Sequence, residues 1–79
     1  MTVRRIPQTF PERLQYLREK RGISRFVLSE LCGLGKNQIA RYERGERVPN
    51  ADALVALSDF FEVSVDYLLC RGGKDEVNR

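Results

Sequence analysis

The stretch Gly22-Ile23-Ser24-Arg25-Phe26-Val27-Leu28-Ser29-Glu30-Leu31-Cys32-Gly33-Leu34-Gly35-Lys36-Asn37-Gln38-Ile39-Ala40-Arg41-Tyr42-Glu43-Arg44-Gly45 decides the fold. Ser24 is an N-cap candidate, because its hydroxyl can accept an N–H that the first helical turn leaves unpaired. Behind it Leu28, Leu31 and Cys32 supply an apolar face, and Gly33 offers the left-handed backbone at which helices stop. These signals predict a helix of about two turns. After the tight link Gly33-Leu34-Gly35, the segment from Lys36 to Arg44 carries Ile39 and Tyr42 at i, i+3, and Gly45 ends it. A second short helix is expected there, polar and bearing Lys36, Arg41 and Arg44.

Working outward, Thr9-Phe10-Pro11-Glu12 has the spacing of a capping box, with proline in the first turn where its missing N–H costs nothing. Phe10, Leu14 and Leu17 follow at i, i+4, i+7, and Gly22 stops the segment behind the cations Lys20 and Arg21. This predicts a leading helix over about 10–21. On the other side, Asn50 is an N-cap with Asp52 in the first turn, and Leu54, Leu57, Ser58 and Phe61 repeat with helical period. A helix over about 51–61 follows, then Ser64 caps a last short helix from Val65 to about Cys70. The expected core is Leu14, Leu17, Leu28, Cys32, Leu34, Ile39, Tyr42, Leu54, Leu57, Phe61, Val63, Leu68 and Leu69. None of these helices is long enough to be stable alone in water, so packing must hold them together.

The 79 residues make one domain, since two halves would each fall near the size at which unaided folding fails. The expected division is a flexible N-terminal arm over 1–9, a helical domain over 10–70 and a frayed tail over 71–79. No apolar run approaches the roughly 20 residues of a membrane span. Arg4 and Arg5 are followed by Ile6-Pro7-Gln8 instead of an apolar segment, so no signal peptide is expected, and a cytoplasmic location is.

With no histidine, a histidine base or a Cys-His nucleophile pair is impossible. Two cysteines, Cys32 and Cys70, are too few for a disulfide scaffold or a four-ligand metal site and read as free, partly buried thiols. Catalytic residues, a metal and a cofactor are all expected to be absent. The net charge of +3 is unevenly spread: residues 13–47 hold nine basic groups against four acidic ones, while residues 48–79 hold three against six. Such asymmetry suggests a face for a polyanion, although charge alone is equally compatible with ordinary solvated surface.

The quoted stretch closely resembles the helix-turn-helix signature of the Cro/C1 (Xre) DNA-binding family. Ser29 falls where two helices cross and only a small side chain fits, Gly33 four residues later where the turn needs left-handed backbone, and Ile39 six further on, where the second helix plugs the core. The Tyr42-Glu43-Arg44-Gly45 ending, the Pro49-Asn50 helix start and the close Val63-Ser64-Val65-Asp66-Tyr67-Leu68-Leu69 extend the resemblance over about residues 12–70. It implies an all-α, compact, five-helix lambda-repressor-like domain with the helix-turn-helix at the second and third helices.

The resemblance also implies roles. Lys36, Asn37, Gln38, Ala40 and Arg41 would contact base edges from the recognition helix in the major groove, the docking geometry of this class. Ser24, Arg25, Arg44, Arg47 and Asn50 would contact phosphates. Arg25 stands where relatives usually carry a glutamine that also braces the recognition residues, which leaves that bracing open. Arg18 and Glu43 correspond to a buried structural ion pair. Phe26 and Val27 replace the usual charged residues on the outer face of the second helix, as a packing patch for the N-terminal segment or a partner surface, and Glu62 stands where glycine often ends the fourth helix.

The function implied is sequence-specific binding of double-stranded DNA as a small transcriptional regulator, in the first instance a repressor. The partners implied are a pseudo-palindromic operator and a second copy of the chain in a homodimer, with no membrane and no small-molecule ligand. Arg4 and Arg5 are candidates for added groove contacts. An antitoxin or protein-interaction adaptor on the same fold is the alternative, and an enzyme is the poorest reading.

Overall fold

The structure, a computed structural model, describes residues 7–71. The Arg4 and Arg5 expectation, and all of the tail but Arg71, lie outside the described residues. Five α-helices follow one another: α1 (Phe10–Arg21), α2 (Arg25–Leu31), α3 (Gln38–Glu43), α4 (Ala51–Phe61) and α5 (Val65–Leu68), with no strand among the described residues. The expected all-α, five-helix architecture is the one observed.

Local chemistry sets the starts. Thr9, Ser24, Asn50 and Ser64 hold extended backbone, and their side-chain oxygens accept the backbone N–H of Glu12, Val27, Ala53 and Tyr67 respectively. In the first helix the Glu12 carboxylate reaches back to accept the Gln8 N–H at 3.0 Å, one residue before the cap.

All five ends share one device. An N–H two or three residues past each helix returns to a carbonyl five residues earlier: Ile23 to Arg18, Leu34 to Ser29, Glu46 to Arg41, Val63 to Ser58 and Arg71 to Asp66. This is the Schellman pattern, and it places the intervening residue in the left-handed region. Gly22, Gly33 and Gly45 take that position at φ 67°, 68° and 75°, whereas Glu62 and Cys70 take it at 59° and 61° without being glycine.

Three expectations are corrected. α3 begins at Gln38 and not at Lys36, because Asn37 has φ 70°, which no helical residue can hold. Gly35 to Gln38 instead form a turn closed by the Gln38 N–H to the Gly35 carbonyl at 3.1 Å, and asparagine is the side chain that best tolerates its left-handed third position. α5 ends at Leu68, with Cys70 already left-handed. Leu31 is 59% exposed. At about 100° per residue, the inward face of α2 is centred between Leu28, Ser29 and Cys32, and Leu31 is rotated away from it.

Each helix contributes one side chain with no exposure at all: Leu14, Leu28, Ile39, Leu57 and Leu68. Tyr42, Ala53 and Phe61 complete the buried cluster, with Phe10, Leu17, Cys32, Leu34, Leu54 and Val63 packed around it. Leu69 is only partly buried. α1 packs on α3 and α5, α2 on α3, and α4 on α5, so α3 is carried on both α1 and α2. Ser29 is buried, as expected of a small side chain on the inward face of α2.

Candidate nucleic-acid interface

The candidate residues sit at the N-terminal turn of α2, the Gly35–Gln38 turn, α3 and the α3–α4 loop. Lys36, Asn37 and Arg41 are exposed, as are Ser24, Arg25, Arg44, Arg47 and Asn50. Ala40 and Gln38 are half-buried. Gln38 lines a cleft of about 330 Å³ between the α2–α3 turn and α4, shared with Cys32, Leu34, Tyr42, Asp52 and Ala56. Its Oε1 is buried with no hydrogen-bond partner among the described residues, so this amide oxygen is drawn inward and not toward a base edge. Lys36 and Asn37 precede α3, and Asn37 orients the turn through its backbone.

Below this surface lies a charge cluster. The Arg18 guanidinium donates to both oxygens of Glu43, Nε to Oε2 at 2.6 Å and Nη2 to Oε1 at 3.1 Å, and Nη1 donates to the Ile23 carbonyl at 2.9 Å. Hydrogen bonding to Glu43 pushes the Arg18 pKa further above its usual value, against the opposing effect of burial. Arg25 adds a third donor, Nε to Glu43 Oε1 at 2.9 Å, from a side chain that is 51% exposed. The bracing left open by the loss of glutamine thus runs from α2 to the carboxylate at the end of α3.

Arg44 is paired as well. Its Nε and Nη2 donate to Glu46 at 2.8 and 3.2 Å, and that contact holds the Glu46 carboxyl below its ordinary range. Of the basic residues from 13 to 47, others serve the fold. Arg13 is buried, donates to the carbonyls of Tyr67 and Pro7 and lies 4.0 Å from the Tyr67 ring centroid, while Arg21 lies over the Phe60 and Phe61 rings. Neither role is visible in a charge count. The side chains of Lys36, Arg41 and Arg47 make no hydrogen bond or ion pair with any described residue, and they are the cations this surface leaves available.

Among the described residues no three His, Cys, Asp or Glu side chains come together to hold a metal ion, and no helix is long and apolar enough to cross a membrane. Cys32 is half-buried, and burial pushes its thiol pKa up.

This combination of short crossing helices, a glycine turn and an exposed second helix defines a class, and the chain belongs to the helix-turn-helix family of the Cro/C1 type, whose model matches residues 14–68. It is 41% identical over 68 residues to the HTH-type transcriptional regulator ImmR of Bacillus subtilis (strain 168), a match covering 86% of this chain and 51% of that protein. The chain spans about half the length of the curated relatives it matches first. In three dimensions it is similar to the c2 repressor of Salmonella phage P22 in complex with synthetic operator 9T, with a TM-score of 0.75 and 34% identity over 89% of this chain and all of that one. The restriction-modification controller protein C.AhdI from Aeromonas hydrophila also matches, at TM-score 0.70 and 28% identity over 76% and 91% of the two chains.

Proposed function

We propose that the chain binds double-stranded DNA sequence-specifically, as a cytoplasmic transcriptional regulator that acts first as a repressor, with α3 in the major groove. The observation that carries this reading is the set of exposed cations that make no hydrogen bond or ion pair with any described residue, Lys36 just before α3, Arg41 on it and Arg47 after it, around the element that the helix-turn-helix class inserts into DNA. The similarity to the P22 c2 repressor, itself in complex with an operator, supports binding to DNA. Lys36, Asn37 and Arg41 read bases, with Gln38 and Ala40 secondary because they are half-buried. Arg25 and Arg47 hold phosphates together with Ser24 and Asn50, and Arg44 joins them once released from Glu46. Two copies related by a twofold axis place two α3 helices about 34 Å apart on successive major grooves. No catalytic step and no cofactor belong to this role.

Enrichment of bound duplexes from a random pool, followed by salt titration of the winner, tests the proposal. One enriched pseudo-palindrome whose log affinity falls linearly with log salt is the expected result, and no enrichment with a flat salt dependence overturns it. An adaptor or antitoxin on the same fold is the second reading, favoured by the exposure of Phe26, 62%, beside Val27 and Leu31. That outcome would show as capture of a protein partner by a chain that enriches no duplex.

A further inference from the structure

Val48 is 88% exposed, above the other large apolar side chains that reach solvent among the described residues: Phe26 at 62%, Leu31 at 59%, Val55 at 52% and Val27 at 39%. Those four stand on α2 and α4, whereas Val48 stands in the α3–α4 loop between Arg47 and Pro49. A valine so exposed adds almost no apolar burial to the fold. Its setting is fixed all the same. Gly45 and Glu46 close the end of α3 by donating their N–H groups to the Tyr42 and Arg41 carbonyls at 3.1 and 2.9 Å, and Asn50 Oδ1 caps α4 by accepting the Ala53 N–H at 2.8 Å. Pro49, in between, is buried.

Proline confines the residue before it to extended backbone, and along an extended segment side chains alternate in direction. With Pro49 turned into the protein, Val48 is turned out, on the same side as Asn50. Arg47 and Asn50, one position before Val48 and two after, are the phosphate contacts of this loop in the DNA-binding reading above, on which the inference rests. From this placement we infer that Val48 packs on the DNA itself, as an apolar contact to deoxyribose carbons or to a thymine methyl group beside those phosphates. The contact buries apolar surface that folding leaves in water, and its contribution does not depend on salt, where Arg47 supplies charge alone. Single exposed apolar side chains are common and need no partner, and a β-branched residue also suits the extended backbone before proline. Val48 is set apart by the fixed loop and by the two contacts that flank it.

Threonine separates contact from backbone preference, because it keeps the β-branch and exchanges one methyl group for a hydroxyl. Wild type and Val48→Thr are measured on the enriched duplex across a salt series, and on the same duplex with uracil in place of each thymine in turn. Sedimentation equilibrium and thermal unfolding of both are followed without DNA. Val48→Thr is expected to bind about fourfold more weakly, the worth of one methyl group withdrawn from contact, with the salt slope, the Tm and the state of association unchanged. A uracil position that weakens the wild type about fourfold and leaves the variant unaffected assigns the contact to that thymine methyl group. Where no position does so, the fourfold loss belongs to deoxyribose.

Equal affinity of Val48→Thr and wild type overturns the inference while DNA binding stands. So does a loss that comes with a lower salt slope, the mark of a displaced phosphate contact, or with weaker self-association without DNA, which places Val48 between two copies of the chain. If the wild-type chain enriches no duplex, the DNA-binding reading falls and this inference with it.

Discussion

Arg18 and Glu43 meet across α1 and α3 with Nε 2.6 Å from Oε2, and their side chains are only 10% and 2% exposed. Removing one partner leaves the other charge buried, which typically costs about 3–5 kcal/mol, whereas replacing both by apolar groups of similar volume is often close to neutral. Glu43→Leu is therefore expected to lose roughly 3 kcal/mol or more in urea denaturation because it leaves the Arg18 guanidinium buried without its carboxylate, and Arg18→Met less, because Arg25 still pairs with Glu43. The double variant Arg18→Met/Glu43→Leu recovers most of the loss. A double variant that loses the sum of the two singles contradicts this account of the pair.

Glu62 holds the left-handed C-terminal position of α4 at φ 59°, where α1, α2 and α3 use glycine. Glycine has no Cβ to clash there, so Glu62→Gly is expected to stabilise the chain by up to about 1 kcal/mol, despite the greater freedom it gives the unfolded state. In a domain of this size that corresponds to a Tm rise of roughly 4–8 °C. The matching change at an ordinary helical position, Ala56→Gly, must lower the Tm by a similar amount.

Much of the fold was legible because its signals are local. Thr9, Ser24, Asn50 and Ser64 accept N–H groups three residues away, and Gly22, Gly33 and Gly45 supply positive φ, so starts and ends can be read within one turn of chain. Asn37 defeated the same logic because asparagine tolerates both helix and left-handed turn. Leu31 could not be placed because its spacing suits an apolar face whose centre depends on where α3 packs. The candidate interface was legible in its membership but not in its electrostatics. Arg25 finds Glu43 18 positions away, and Arg13 finds Tyr67 54 positions away, so a linear charge count overstates the cations that face outward.

Lys36 and Asn37 precede α3 while Arg47 lies beyond it, and the three should separate base from phosphate reading. Lys36→Ala is expected to change which bases are preferred, whereas Arg47→Ala weakens all sequences alike and reduces the salt slope by about 1. Asn37→Gly is the informative change at its position, since glycine keeps φ 70° and deletes only the amide. Repeating the selection from a random pool with each variant is the check. Identical shifts in all three would show that the surface holds no such division.

Cys32 has its thiol pKa raised by burial, which lowers the thiolate fraction at neutral pH. Since thiolate is the reactive form, alkylation by iodoacetamide at pH 7 is expected to be slower than for a free cysteine, and its rate should climb as pH rises toward the raised pKa. Unfolding in urea should abolish the difference. Labelling of folded Cys32 at pH 7 as fast as a free cysteine would contradict the burial.

Glu46 occupies the Arg44 guanidinium as a phosphate would, through Nε at 2.8 Å and Nη2 at 3.2 Å. Both side chains are about half exposed, so the pair adds little to stability, and its consequence is competition for Arg44. Arg44 holds the Glu46 carboxyl below its ordinary range, so the contact persists to lower pH than for a free glutamate and is lost as Glu46 takes up its proton. Glu46→Gln is expected to raise affinity several-fold for enriched and random duplexes together and to steepen the salt slope by up to about 0.9, the value of one newly neutralised phosphate. Deleting a carboxylate near DNA also relieves repulsion, so the same change is made in an Arg44→Ala background. If the release of Arg44 is the cause, the gain in salt slope disappears there. A gain of equal size in both backgrounds assigns the effect to repulsion alone and removes Arg44 from the phosphate contacts.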